Sequence, residues 1–161
     1  MANDNEATRS TLNDLIETCK DGEEGFRSGA EKLKQREVHL LFLELSQQRS
    51  RFAGELQAEV TNMGGEPAKS GTTAGAIHRG WIGLKSAVTG DSDHAILEEA
   101  ERGEDAAVKN YREALGKKLP DYIQEIVLRQ FREIEQAHRT VRELRDTSRE
   151  PSTRPMAGRS K

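Results

Sequence analysis

Cysteine is almost missing from this chain. Cys19 stands alone, which excludes an internal disulfide and any metal site built from several thiolates, and makes a reducing, cytoplasmic compartment the natural expectation. Proline is scarce and runs of β-branched residues are absent, so the pattern favours helices over strands. No window reaches the ~20 apolar residues of a membrane span. The first residues, Met1 to Glu6, lack the basic stretch and apolar core of a secretion signal. Gly64, Gly65 and Gly71 are not followed by the Gly-Lys-Ser/Thr of a phosphate loop, and no strand precedes them. No basic face marks the body as a nucleic-acid binder.

What is present is charge on a thin apolar framework. Of 161 residues, 34% are hydrophobic and 33% charged, which suits one domain of long helices with narrow apolar stripes. The net charge of -3 divides unevenly. Residues 147–161 carry Arg149, Arg154, Arg159 and Lys161 against Glu150, and with Pro151, Pro155 and Gly158 they read as a disordered basic tail.

Four long helical patterns follow one another. Leu12, Ile16, Cys19, Glu23, Phe26, Ala30 and Leu33 share one side of a helix from about Thr11 to Lys34, after a flexible segment over residues 1–10. Val38, Leu41, Leu45, Arg49, Phe52, Leu56 and Val60 share a side from Arg36 to Met63, ended by Gly64-Gly65. The turn between these helices is so short that they must form an antiparallel hairpin. The third helix begins at the capping residues Asp91-Ser92-Asp93 and ends at Gly116, with the stripe Leu97, Glu101, Glu104, Val108, Tyr111 and Leu115. The fourth opens at Pro120 and runs to Asp146, carrying Ile123, Val127, Gln130, Ile134, Ala137, Val141 and Leu144 inward. A short amphipathic helix over Ala76–Val88 is expected in the long connection between the second and third, with Trp81 as a packing anchor. That connection is long enough to cross back along the bundle, which leaves the second and third helices parallel.

Three stretches carry a resemblance: Ile96 to Tyr111, His78 to Ala87, and Arg129-Gln130 with Leu144-Arg145-Asp146. Together they resemble an uncharacterised bacterial four-helix-bundle family of the ferritin-like superfamily, a domain of unknown function, over about Thr11 to Asp146. The resemblance implies an all-α, ferritin-like four-helix bundle. In that superfamily the first and third helices each give a Glu and the second and fourth each give a Glu-x-x-His motif, enough to bridge two irons. Glu23, Glu104, Glu135 and His138 are the candidate ligands the resemblance implies here, and Glu101, on the stripe of the third helix and about level with Glu135 and His138, joins them. The second helix departs from the pattern, because Ser46 to Arg51 contains neither Glu nor His.

Helical geometry places Glu23 and Glu104 on inward stripes, but puts Glu135 about 130° and His138 about 70° from the centre of theirs. Arg49 and Gln130 are the inward polar residues of the second and fourth helices. Two readings therefore stand side by side. In one, Glu23, Arg49, Glu104 and Gln130 form a buried, metal-free polar layer in a non-enzymatic protein, stress-associated in one version, that acts by self-association or by binding a protein partner through a helix face. Leu40, Phe42 and Leu43, which widen the apolar surface of the second helix, motivate that association. In the other, iron or another divalent metal binds at a partial carboxylate and histidine site and supports oxidation, peroxide reduction or iron handling. His39, His78 and His94 read as isolated surface or structural residues, and Cys19 as a small core residue.

Overall fold

A computed structural model describes residues 2–70, Trp81 and residues 92–148, and among these there are four α-helices and no strand. The expected short helix at 76–88, His78 and the tail beyond Ser148 lie outside the described residues. The helices are α1 (Ala2–Lys32), α2 (Arg36–Asn62), α3 (Asp93–Leu115) and α4 (Asp121–Ser148).

α1 begins nine residues before the sequence pattern suggested, so most of the segment expected to be flexible is helical. Asp4 lies in the first turn, where the helix dipole favours a carboxylate. Tertiary contacts hold the extension: Thr8 is buried, and Arg9 Nη1 donates to the Met63 carbonyl at 3.1 Å. That carbonyl sits where α2 stops, at Gly64, whose φ of 80° lies in the left-handed region that a side chain disfavours. At its other end α2 has no side-chain cap of its own. The Asp93 carboxylate, at the start of α3, accepts the Lys34 and Gln35 N–H groups at 2.9 Å each. Ser92 in turn caps α3 through the Ala95 N–H.

Cross-helix contacts give each direction. Thr18 meets Asn110 and Cys19 meets Tyr111, whereas Gly29 faces Ile96, so α1 and α3 are antiparallel neighbours. Gln48 meets Glu133, Phe52 meets Gln130 and Glu55 meets Arg129, which makes α2 and α4 antiparallel neighbours. Arg9 with Met63 and His39 with Ala30 do the same for α1 and α2. His94 with Arg145 and His138 with Asp105 do so for α3 and α4. α2 and α3 both begin at the end marked by Asp93.

Small residues decide which faces pack. The buried face of α3 is Ile96, Leu97, Ala100, Gly103, Glu104, Ala107, Tyr111 and Ala114, so it is rotated toward α1 relative to the expected stripe, and Val108 and Leu115 are only half-buried. Ala and Gly add little to an apolar pattern, yet they let backbones approach. Gly25 and Gly103 face each other across the α1–α3 seam and admit the Trp81 ring, because an added Cβ would lie 2.3 Å and 2.2 Å from ring atoms. Trp81 also meets Phe26 edge-on at 5.1 Å.

The core has two apolar parts. One is built on Leu12, Ile16, Phe52, Leu56, Tyr111 and Ile123; the other on Phe26, Phe42, Leu45, Trp81, Leu97 and Val141. Phe42 is fully buried in the second part and adds nothing to the outer face of α2, where Leu40 and Leu43 alone remain exposed.

Candidate functional site

Between the two apolar parts lies a charged layer. Arg49 comes from α2, one turn from Leu45 and Phe52, and Glu104 from α3, between Ala100 and Ala107. Their side chains are 1% and 0% exposed, and they meet as a two-pronged pair: Nη1 donates to Oε1 at 2.6 Å and Nη2 to Oε2 at 2.7 Å. Both carboxylate oxygens are therefore engaged by the matching fork of a guanidinium, the strongest geometry available to this pair. The remaining nitrogen, Nε, donates to Gln48 Oε1 at 3.0 Å.

The room for this pair comes from α1. An added Cβ at Gly22 would stand 3.3 Å from Arg49 Nη1 and 3.4 Å from its Cγ, so the guanidinium lies against the α1 backbone. One turn on, the Phe26 ring lies under the cation, 5.3 Å from centroid to Cζ. Burial works against the charge on Arg49, but the carboxylate of Glu104 and its hydrogen bonds outweigh it, and the guanidinium's pKa is raised above its ordinary value.

A second buried network, neutral at its inner end, crosses all four helices. Tyr111 Oη donates to Gln130 Oε1 at 2.7 Å, which commits its only proton, so the Cys19 thiol, 3.0 Å away, donates to the tyrosine oxygen. The Gln130 amide passes its own hydrogens to Glu55 Oε1 at 2.9 Å and toward the Phe52 carbonyl at 3.4 Å. Arg129 closes the chain on Glu55 at the surface. Burial pushes the Cys19 pKa up to about 11, and burial with the neighbouring thiol pushes that of Tyr111 well above the usual phenol value. Among the described residues no buried side-chain nitrogen or oxygen lacks a hydrogen-bond partner.

The five candidate metal ligands do not converge. Glu104 is held by Arg49. Glu23 is not in the buried layer: its side chain is 32% exposed and pairs with Lys20 at 3.4 Å. Glu135 pairs with Arg112 across the α3–α4 surface at 3.5 Å. Glu101 lies at the seam between α3 and α4, engaged by Arg145 and, at 3.7 Å, by Arg142. His138 Nε2 meets Asp105 Oδ1 at 2.5 Å, and its Nδ1 faces Arg142. Gln130 serves the tyrosine network and does not touch Arg49.

Among the described residues one trio does come together. Ligand atoms of Glu101, Asp105 and His138 lie within 4.8 Å of one another, with Asp105 exposed and the other two half-buried. The trio adjoins a groove of about 580 Å³ between α3 and α4, lined in part by Arg112, Arg139 and Arg142. Asp105 is one residue missed in the sequence; its spacing of four from Glu101 was the available signal. Also missed were the helix-interior glycines Gly22, Gly25 and Gly103. A glycine inside a helix is costly, and its repetition at three- and four-residue steps marks where large side chains pass close to the backbone.

No curated protein matches the chain. A family model, described as Domain of unknown function (DUF2383), matches residues 7–117, which takes in Cys19, Arg49, Glu104 and Tyr111 but stops before α4. With well over half of its length so matched, the chain belongs to the DUF2383 family, a domain of unknown function.

Proposed function

We propose that this protein is a ferritin-like helical bundle that works by association, with itself or with a protein partner, rather than by catalysis. The antiparallel helix neighbours, with α2 and α3 starting from the same end, support the ferritin-like arrangement. The observation that carries the non-catalytic part is the two-pronged Arg49–Glu104 pair. The most buried carboxylate of the bundle has both oxygens committed to a cation that would repel a metal ion and compete for the same lone pairs. Removing Arg49 from the pair would strand a buried charge, at a cost of about 3–5 kcal/mol. The layer therefore acts as a register lock, joining α2 to α3 across the waist of the core. No helix among the described residues is long and apolar enough to cross a membrane.

Anaerobic titration with Fe(II), followed by desalting and metal analysis, tests this reading. The expected result is no stoichiometric retention by the buried layer. Tight retention lost in Glu104→Gln but kept in His138→Ala would overturn it.

A second reading draws on the Glu101, Asp105 and His138 trio, whose two carboxylates and imidazole suit a divalent ion of intermediate hardness. Arg142 and Arg145 already neutralise Glu101 there, so binding would be weak. Retention that disappears in His138→Ala, with the fold intact, would favour this site.

A further inference from the structure

Gly54 is the one glycine described within the four helices whose added Cβ would meet nothing within 4 Å. Gly22, Gly25, Gly29 and Gly103 each make room for Arg49, Trp81 or Phe42, whereas Gly54 sits in the middle of α2 on its exposed side. Its backbone does not require glycine, since among the described residues the only glycine with positive φ is Gly64. A helix-interior glycine is unfavourable relative to alanine, so inside this chain Gly54 brings a loss without a compensating contact.

The face around it has a composition unlike the rest of this highly charged surface. At 100° per residue, Leu40, Leu43, Gln47, Arg51, Gly54 and Ala58 fall within an arc of about 80°, and none of the six is buried. Leu40 and Leu43 are two of the three exposed large hydrophobics among the described residues. The bulky pair lies toward the N-terminal half of the helix and the small pair, Gly54 and Ala58, toward the C-terminal half. Leu43 and Gly54 are centred on the same point as Leu40 and Ala58, level with Gln48 and Arg49.

We infer that α2 is the contact surface of a symmetric homodimer, in which the α2 helices of two copies pack antiparallel about a two-fold axis near Gln48–Arg49. Leu43 of each copy then covers Gly54 of the other, and Leu40 covers Ala58. Projection fills a hollow at both ends of the contact, as an isologous interface requires. The charges fit the same axis. A two-fold axis perpendicular to both helices brings each edge of the face against the same edge in the other copy. Glu44 and Arg51 share one edge, lie on opposite sides of the centre, and have no interaction partner among the described residues. Two equivalent Glu44–Arg51 ion pairs form across the axis. The strip from Leu40 to Ala58 is about 27 Å long and about one helix wide, short of the ~800 Å² per partner of a standard stable interface. The dimer therefore dissociates on dilution.

This inference rests on the association reading above and adds the surface, the orientation and the register. Sedimentation velocity from low micromolar to near-millimolar concentration tests it on the whole chain. The wild type is expected to shift from monomer to dimer, and Leu43→Glu and Gly54→Leu each to remain monomeric, with circular dichroism and melting temperature showing that the fold persists. Orientation is read by oxidative cross-linking, with buried Cys19 as an inert background. Gln47→Cys, near the axis, should form a disulfide-linked dimer; Ala58→Cys, whose two copies lie about 28 Å apart along the helices, should not. A strictly monomeric wild type would overturn both this inference and self-association itself. A dimer that persists in both monomerising variants, or that cross-links as well at position 58 as at position 47, would overturn the inference alone and leave self-association standing.

Discussion

Replacing one member of the Arg49–Glu104 pair should be far more harmful than replacing both. In Glu104→Leu the guanidinium of Arg49 stays 1% exposed, against Gly22 and Phe26, with no anion to offset its desolvation. In Arg49→Met the carboxylate is stranded instead. Each single change should cost about 3–5 kcal/mol, the range for a buried charge left without its partner. For a domain of this size that lowers the melting temperature by about 6–20 °C. The double variant Arg49→Met with Glu104→Leu removes both charges and keeps the layer filled. Gln48, half-exposed, can exchange its lost donor for water. Its stability should lie within about 2 kcal/mol of the wild type, giving a coupling energy of several kcal/mol between the two positions. Urea unfolding of the four proteins at neutral pH, followed by circular dichroism, measures the whole cycle. Single variants costing less than about 1 kcal/mol, or a double variant equal to the sum of the singles, would refute the account of the layer as one interlocked pair.

Other consequences can be checked separately. Cys19 has a folded pKa of about 11 against 9.0 for an unperturbed thiol, so folding favours its protonated form. The associated stability is complete below pH 9 and declines as pH rises toward 11, by up to about 1.4 kcal/mol per unit; denaturant melts across that window should show a slope that shrinks in Cys19→Ala. For the same reason a thiol reagent at about pH 8 should label the folded protein only at its rate of opening, and rapid labelling would contradict the buried thiol–phenol contact. Gly103→Ala places a methyl 2.2 Å from the Trp81 ring; it should cost about 1–3 kcal/mol and shift tryptophan emission to the red, and an unchanged spectrum would place the indole elsewhere. Asp93→Ala removes the acceptor of two backbone N–H groups at the start of α2 and should cost about 1–2 kcal/mol, with hydrogen exchange accelerated at Lys34 and Gln35.

The helices were legible because their apolar periodicity is regular. The α4 stripe from Ile123 to Val141 appears in the structure residue for residue, with Leu144 half-buried at its end. Elsewhere the sequence signal was incomplete for identifiable reasons. The start of α1 is held by Thr8 and by Arg9 reaching Met63, long-range contacts that no local cap announces. On α3 the buried face turns toward α1 because Ala100, Gly103 and Ala107 permit close approach, a steric property that a hydrophobic pattern under-weights. Arg49 and Glu104 were visible as inward polar residues, but their pairing depends on the rotation of two helices that are distant in sequence. Glu23 shares the periodicity of the core and still faces Lys20, since α1 spends its inward width on Cys19, Gly22 and Phe26. The Cys19–Tyr111–Gln130–Glu55 chain needs four helices in register, and no local spacing encodes that.

The central claim is that the buried carboxylate of this bundle belongs to Arg49. Crystals grown or soaked anaerobically with Fe(II) and measured at the iron absorption edge test it most directly. The account predicts no anomalous peak within bonding distance of Glu104, with both carboxylate oxygens still on the guanidinium. An anomalous peak on Glu104, with Arg49 turned away from it, would contradict the account.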